Sequence, residues 1–139
     1  MRITTQGDYA LKCILNIAKN GCEKPVSISR MVEDDSLPLD YIEQLLMKLR
    51  RKKLIKSVRG AKGGYLLNKK PSLISVKDVL EAVEGEAFEV ICFRKKNSKK
   101  SCITGSDCVL KDVWQNLKCQ IDRYLEKETI GVLLARSRR

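Results

Sequence analysis

The chain has 139 residues, 43% of them apolar, and its 28 Lys and Arg against 17 Asp and Glu give a net charge of +11. That is enough chain and enough apolar content for one domain with a buried core, which excludes a disordered polyelectrolyte. No apolar run approaches the roughly 18–20 residues needed to span a membrane, and Met1 to Lys12 has no apolar core of the kind a signal peptide carries. A cytoplasmic protein with no membrane partner is therefore expected. In that reducing setting six cysteines do not form a disulfide framework. They are metal ligands, redox thiols or small buried residues.

In chain order, Ala10, Leu11, Ile14, Leu15, Ile17 and Ala18 recur at helical spacing and predict an amphipathic helix over 6–19, with Gly21 placed to end it. Ser27 is a cap for a short second helix holding Ile28, Met31 and Val32, and Asp34-Asp35-Ser36 is turn chemistry. Pro38 stands at a helix start, followed by Leu39, Ile42, Leu45, Leu46 and Leu49. Leu54–Val58 and Tyr65–Leu67 read as two strands of a hairpin, with Gly60, Gly63 and Gly64 in its loop. After Pro71, Ser75 caps a helix carrying Val76, Val79, Leu80 and Val83, and Gly85 ends it. Residues 86–107 look irregular and basic. From Cys108 a helical pattern returns: Leu110, Trp114, Leu117, Ile121 and Tyr124 alternate steps of four and three, a heptad-like stripe that calls for a partner helix. A last short helix, 130–134, precedes a basic tail.

The fold expected is mainly α with a small β-hairpin: a winged helix-turn-helix plus a long C-terminal dimerisation helix. It divides into a DNA-binding domain over 1–85, a cysteine-bearing loop over 86–107, and a dimerisation helix with its tail over 108–139. Charge follows the same division. Residues 1–70 hold 15 basic and 7 acidic side chains, and residues 71–139 hold 13 and 10. From Lys48 to Lys70 there are ten Lys or Arg and no Asp or Glu. A helix followed by a basic hairpin is the pattern of a winged helix-turn-helix, in which one helix enters the major groove and the hairpin reaches the adjoining backbone or minor groove. A self-paired stripe would make a homodimer and set two reading heads on a two-fold, palindromic double-stranded DNA site.

Several segments resemble the IscR/NsrR/CymR group of bacterial winged-helix regulators: the opening Met1 to Leu11, Tyr41 to Leu46, Val58 to Tyr65, Asp78 to Gly85, and the triad Cys92, Cys102 and Cys108. The resemblance covers nearly the whole chain. It implies a homodimeric transcription factor on palindromic operators, no enzymatic activity, and no small-molecule substrate. In many members it also implies an iron–sulfur cluster, of the 2Fe–2S or 4Fe–4S type.

Under that resemblance the helix beginning near Pro38 is the recognition helix, with Asp40, Tyr41, Glu43 and Gln44 as its early exposed residues. Gln44 suits adenine edges. Glu43 suits cytosine N4, or rejects unsuitable sequences by repulsion. Lys48, Arg50, Arg51 and Lys52 are assigned to phosphates. Arg59 and Gly60 at the wing tip suit a narrow minor groove, and Lys62 suits the backbone.

The cysteines of the triad are separated by nine and five residues, which fits no zinc-finger ladder. Thiolates are the usual ligands of iron–sulfur clusters. The first gap is longer than usual in the group and carries Arg94, Lys95, Lys96, Lys99 and Lys100. The chain has no histidine, so a histidine-completed cluster is excluded; Lys111 stands where such members carry it. The resemblance points to Asp8 of the partner subunit's first helix as fourth ligand, with Asp107 and Asp112 as local alternatives. Cys119 is eleven residues past Cys108, roughly 16 Å along a continuous helix, too far to share a cluster. Cys13 reads as a core residue and Cys22 as an incidental thiol. The alternatives are a clusterless regulator with a zinc or redox-thiol site, and a regulator of cysteine metabolism. A redox enzyme would need a histidine base or a CxxC pair, and the chain has neither.

Overall fold

A computed structural model describes residues 3–20, 23–85 and 108–139. Its elements are α1 (Thr5–Lys19), α2 (Ile28–Asp35), α3 (Leu39–Arg51), β1 (Ile55–Val58), β2 (Gly64–Leu67), a 3-10 turn at Pro71–Leu73, α4 (Val76–Glu84), α5 (Val109–Lys127) and α6 (Ile130–Ser137). The mainly helical fold with a two-stranded antiparallel hairpin is the one expected, and the helix and strand limits fall within a residue or two of the periodicities, α6 apart.

Local chemistry sets most of the ends. The Ser27 hydroxyl accepts from Arg30 N at 3.3 Å to open α2. Ser75 and Asp78 form a reciprocal capping box, with Asp78 N donating to Ser75 Oγ at 3.0 Å and Ser75 N to the Asp78 carboxylate at 2.9 Å. Gly85 ends α4 at φ +81°. Helix α1 is capped differently. Thr4 offers no side-chain cap, and a carboxylate oxygen of Glu84, at the far end of α4, accepts from Thr4 N at 2.9 Å, from Gly7 N at 3.0 Å and from the Thr4 hydroxyl. Orphan N–H groups and the positive end of the helix dipole both favour an anion there. Gly7 makes the approach possible, because a Cβ at this position would lie 2.7 Å from Leu80 Cδ2 and 2.9 Å from Glu84 Oε1.

The apolar faces of α1, α3 and α4 close on one core with Val26, Met31, Leu54 and Ile55. Within α3, Ile42, Leu45, Leu46 and Leu49 are at most 1% exposed. Full burial of such side chains stabilises the fold by about 1.5–3 kcal/mol each. The hairpin pairs Ile55 with Leu67 through to Val58 with Gly64. Val26, just ahead of α2, adds a rung by exchanging hydrogen bonds with Tyr65 at 3.0 and 2.9 Å. Gly64 admits that rung: a Cβ there would sit 2.4 Å from Val26 O.

The C-terminal tail departs from the expected picture. It continues as α6 to Ser137, and Ile130 and Leu134 enter the same core as α1. A backbone bridge between Ser75 and Thr129 fixes it, with Val76 N donating to Glu128 O at 2.7 Å and Ile130 N to Ile74 O at 2.8 Å. Residues 130–137 therefore belong structurally with the winged helix. Helix α5 spans the two and buries no side chain of its own. It meets α4 through Lys77, whose ammonium lies 2.8 Å from Glu126 and 4.0 Å from Asp122. The hydrogen bond to Glu126 raises the Lys77 ammonium above its ordinary value, and the carboxylates of Asp122 and Glu81 add to it.

Candidate nucleic-acid interface and cysteine site

Helices α2 and α3, joined by the turn at Ser36–Pro38, form a helix-turn-helix, and the hairpin follows at once. Asp40, Glu43, Gln44 and Arg51 are all exposed on α3. Their spacing of three, four and seven sets them on one face, opposite the buried leucines. The loop between the strands is drawn tight by Gly63 N donating to Gly60 O at 3.0 Å. Gly60 takes φ +117°, and a Cβ on Gly63 would lie 2.3 Å from Val58 O. The bend needs glycine at both positions, and it projects Arg59 and Lys62 into solvent at the tip.

Among the described residues, none of the ten basic side chains from Lys48 to Lys70 meets a carboxylate at ion-pair distance. Nine of the ten are exposed. Lys48 is the exception and requires a correction. It is half-buried, and its ammonium donates to Val83 O at 3.3 Å, so it ties α3 to the end of α4. Tyr41 also differs from the exposed reader expected. It is half-buried, packs against the core, and meets Tyr9 edge-on with ring centroids 5.6 Å apart. Helical spacing sets both residues near the reading face; neighbours from other elements take them up.

Of the proposed cluster ligands, Cys92 and Cys102 lie outside the described residues, as do Cys22 and Asp107. Cys108 is a free thiol at the N-cap of α5, half-exposed. Asp8 is exposed in the first turn of α1 and pairs with Lys12 at 2.9 Å. That hydrogen bond raises the Lys12 ammonium above its ordinary value. Among the described residues no three Cys, Asp or Glu converge on one point. Thiolates are the usual ligands of iron–sulfur clusters, and the Asp8 carboxylate is held only by an exposed ion pair, which is easily given up. Cys13 is completely buried, with its thiol pushed up to about 12 by burial, and Cys119 is exposed on α5.

The stripe on α5 faces outward. Leu110, Trp114, Leu117 and Tyr124 are exposed, with Tyr124 at 64%, and Val109 and Val113 flank them. Ile121 is half-buried.

A helix-turn-helix followed by a cationic, glycine-turned hairpin is a winged helix, the fold of a class of transcriptional regulators. The chain belongs to the Rrf2 family, whose profile, described as an iron-dependent transcriptional regulator, matches residues 3–136. It is 35% identical over 134 residues to the HTH-type transcriptional regulator IscR of Escherichia coli, covering 96% of this chain and 80% of that one. Among solved structures it resembles CymR, the global cysteine regulator of B. subtilis, with TM-score 0.82, 27% identity and 98% of each chain covered. It also resembles T. potens IscR, with TM-score 0.77 and 31% identity, covering 99% of this chain and 88% of that one. No described helix is long and apolar enough to cross a membrane.

Proposed function

We propose that this regulator is a cytoplasmic homodimer that binds a palindromic operator through α3 and the wing, and that an iron–sulfur cluster on Cys92, Cys102, Cys108 and the partner's Asp8 controls that binding. The observation that carries the DNA half is a run of cations with no carboxylate at ion-pair distance among the described residues: Arg50, Arg51, Lys52, Lys53, Lys56, Arg59 and Lys62 lie exposed on one helix end and its hairpin. Phosphate contacts of this kind position the protein, while Asp40, Glu43 and Gln44 address base edges. The exposed stripe on α5 supports self-pairing, since two copies would cover each other's apolar face. Donor chemistry and the likeness to IscR support the cluster. With Asp8 ligating across the dimer, a cluster would tie the reading half of one subunit to the dimer half of the other. Its loss, under redox stress, nitric oxide or iron–sulfur shortage, would shift the balance between arrangements of the two heads.

Anaerobic purification tests the cluster. Iron, sulfide and zinc are counted per subunit alongside visible absorbance. Brown protein with matched iron and sulfide, lost in Cys92→Ala, is expected. Asp8→Ala should lower both cluster content and the response of operator affinity to it. Colourless protein after anaerobic reconstitution would leave only the DNA half standing. The structural likeness to CymR favours a second reading, a clusterless regulator of cysteine metabolism, and that result would select it; zinc without iron would select a structural metal site. For the DNA half, Arg59→Ala should weaken operator binding roughly tenfold, the scale of ~1.4 kcal/mol, with thermal unfolding unchanged. Binding should also fall steeply with salt. Equal affinity for the variant would remove the wing contact.

A further inference from the structure

Past Leu39, which opens α3 and is itself exposed, one exposed residue of the helix carries neither charge nor hydrogen-bonding capacity. Met47 is 42% exposed. It lies three and four residues beyond Gln44 and Glu43, on the same face and one turn along. The other apolar residues of the helix body, Ile42, Leu45, Leu46 and Leu49, are all in the core, whereas Met47 is neither in the core nor packed against it. A single exposed apolar side chain is ordinary on a protein surface. This one stands between the base-reading positions and the phosphate-binding Arg50 and Arg51, where a major groove would meet it.

Resting on the reading of α3 as the recognition helix, we infer that Met47 is a specificity-determining residue that contacts the C5-methyl group of a thymine. Thymine alone among the four bases presents a methyl group in the major groove, and apolar side chains recognise it by contact. The thioether side chain is long and adaptable enough to reach it. Four residues of helix rise about 6 Å, which is less than two base-pair steps of about 3.4 Å. The thymine therefore lies one or two base pairs from the pair that Glu43 and Gln44 address. Met47 has no charge or donor to offer a phosphate, so a contact it makes in the groove acts on bases and not on backbone.

The test is selection from a randomised duplex library by the full-length wild type, Met47→Ala and Met47→Leu, followed by replacement of selected thymines with deoxyuridine, which lacks only the methyl group. The wild type should enrich thymine at one position of each half-site. Met47→Ala should lose that preference while keeping the others, and Met47→Leu should retain it. Deoxyuridine at that position should weaken wild-type binding about fourfold, the scale of one buried methyl group, and leave Met47→Ala unaffected. Equal binding of thymine and deoxyuridine by the wild type overturns the inference, as does a Met47→Ala variant that binds all sequences uniformly less well. A wild type that enriches no sequence overturns the DNA-binding reading along with it.

Discussion

Helices α3 and α5 are written with the same kind of apolar stripe and end in opposite places. In α3 the repeat Ile42, Leu45, Leu46, Leu49 is completely covered by α1, α4 and the start of the hairpin. In α5 Leu110, Trp114, Leu117 and Tyr124 stay open to solvent and Ile121 is half-buried, and Asp122 and Glu126 pair with Lys77 of α4. Ion pairs that stay in reach of solvent contribute modestly. Helical stability in proteins comes chiefly from packing an amphipathic face. The winged helix, with α6 folded back onto it, buries its stripe within one chain, while α5 leaves most of its own exposed, which is the face the proposed dimer would cover. Periodicity reports that a face must be buried. It does not report against what.

The largest expected effect comes from breaking the open stripe. In the proposed dimer, Trp114→Glu combined with Leu117→Glu places charges in the apolar seam. Sedimentation equilibrium should find a monomer, and affinity for a palindromic site should drop about 10²–10⁴-fold, the gain that linking two heads supplies. Circular dichroism of the winged helix should be preserved, because α5 contributes no buried side chain. A variant that stays dimeric would move the interface elsewhere. The closed stripe should respond in the reverse sense. Leu46→Ala empties a site that is fully buried and should cost about 2–5 kcal/mol in urea unfolding. Leu110→Ala, on the open stripe, should leave the stability of the isolated monomer within about 0.5 kcal/mol. Similar losses at both positions would show that α5 packs on its own domain after all.

What the sequence makes legible follows from how far apart the partners lie. Ser27 and Ser75 cap helices from three residues away, and Gly85 terminates one by its own backbone angle, so these ends are written locally. Gly60 and Gly63 of the wing are likewise explained locally, by a positive φ and by the nearby Val58 O, whereas Gly64 answers to Val26 O from ahead of α2. The cap of α1 is not, because Glu84 lies 80 residues from Thr4. Nor is the bridge from Ser75 to Thr129, which carries the tail into the core. Periodicity puts Tyr41 and Lys48 on the correct helix, but a helical wheel does not contain Tyr9 or Val83. At the proposed metal site the sequence offers residue types alone: Cys92 and Cys102 lie outside the described residues, and among the described ones no three Cys, Asp or Glu converge.

Gly7 tests whether the closed half depends on its long-range cap. Gly7→Ala puts a methyl group 2.7 Å from Leu80 Cδ2 and beside the Glu84 carboxylate, so the Leu80 side chain and the capping carboxylate must give way. Overpacking of this kind costs about 1–3 kcal/mol. The loss should show in thermal unfolding, and amide exchange at Thr4 and Gly7 should accelerate with it. Unchanged stability would mean that α1 shifts without loosening its cap.

The smallest effect contrasts two thiols, Cys13 in the closed half and Cys119 in the open one. Burial pushes the Cys13 thiol up to about 12 from an ordinary 9.0, and the Asp35 carboxylate adds to the shift. Below about pH 9 both folded and unfolded chains keep this proton, so it gives stability no pH dependence. Above that the unfolded chain loses the proton first, and unfolding gains up to ~1.4 kcal/mol per pH unit until the folded thiol also titrates. Other groups titrate in this range, so the measurement is the difference between wild type and Cys13→Ala in urea at about pH 7 and about pH 10. The alanine variant should be the less stable at neutral pH through lost packing, and the gap should narrow or reverse at alkaline pH. A gap equal at both values would mean that Cys13 ionises alike in the two states, which its complete burial forbids. A thiol reagent gives the same contrast kinetically. Under native conditions Cys119→Ser should remove one fast-reacting equivalent and Cys13→Ala none, because only the unfolded chain offers the Cys13 thiolate to solvent.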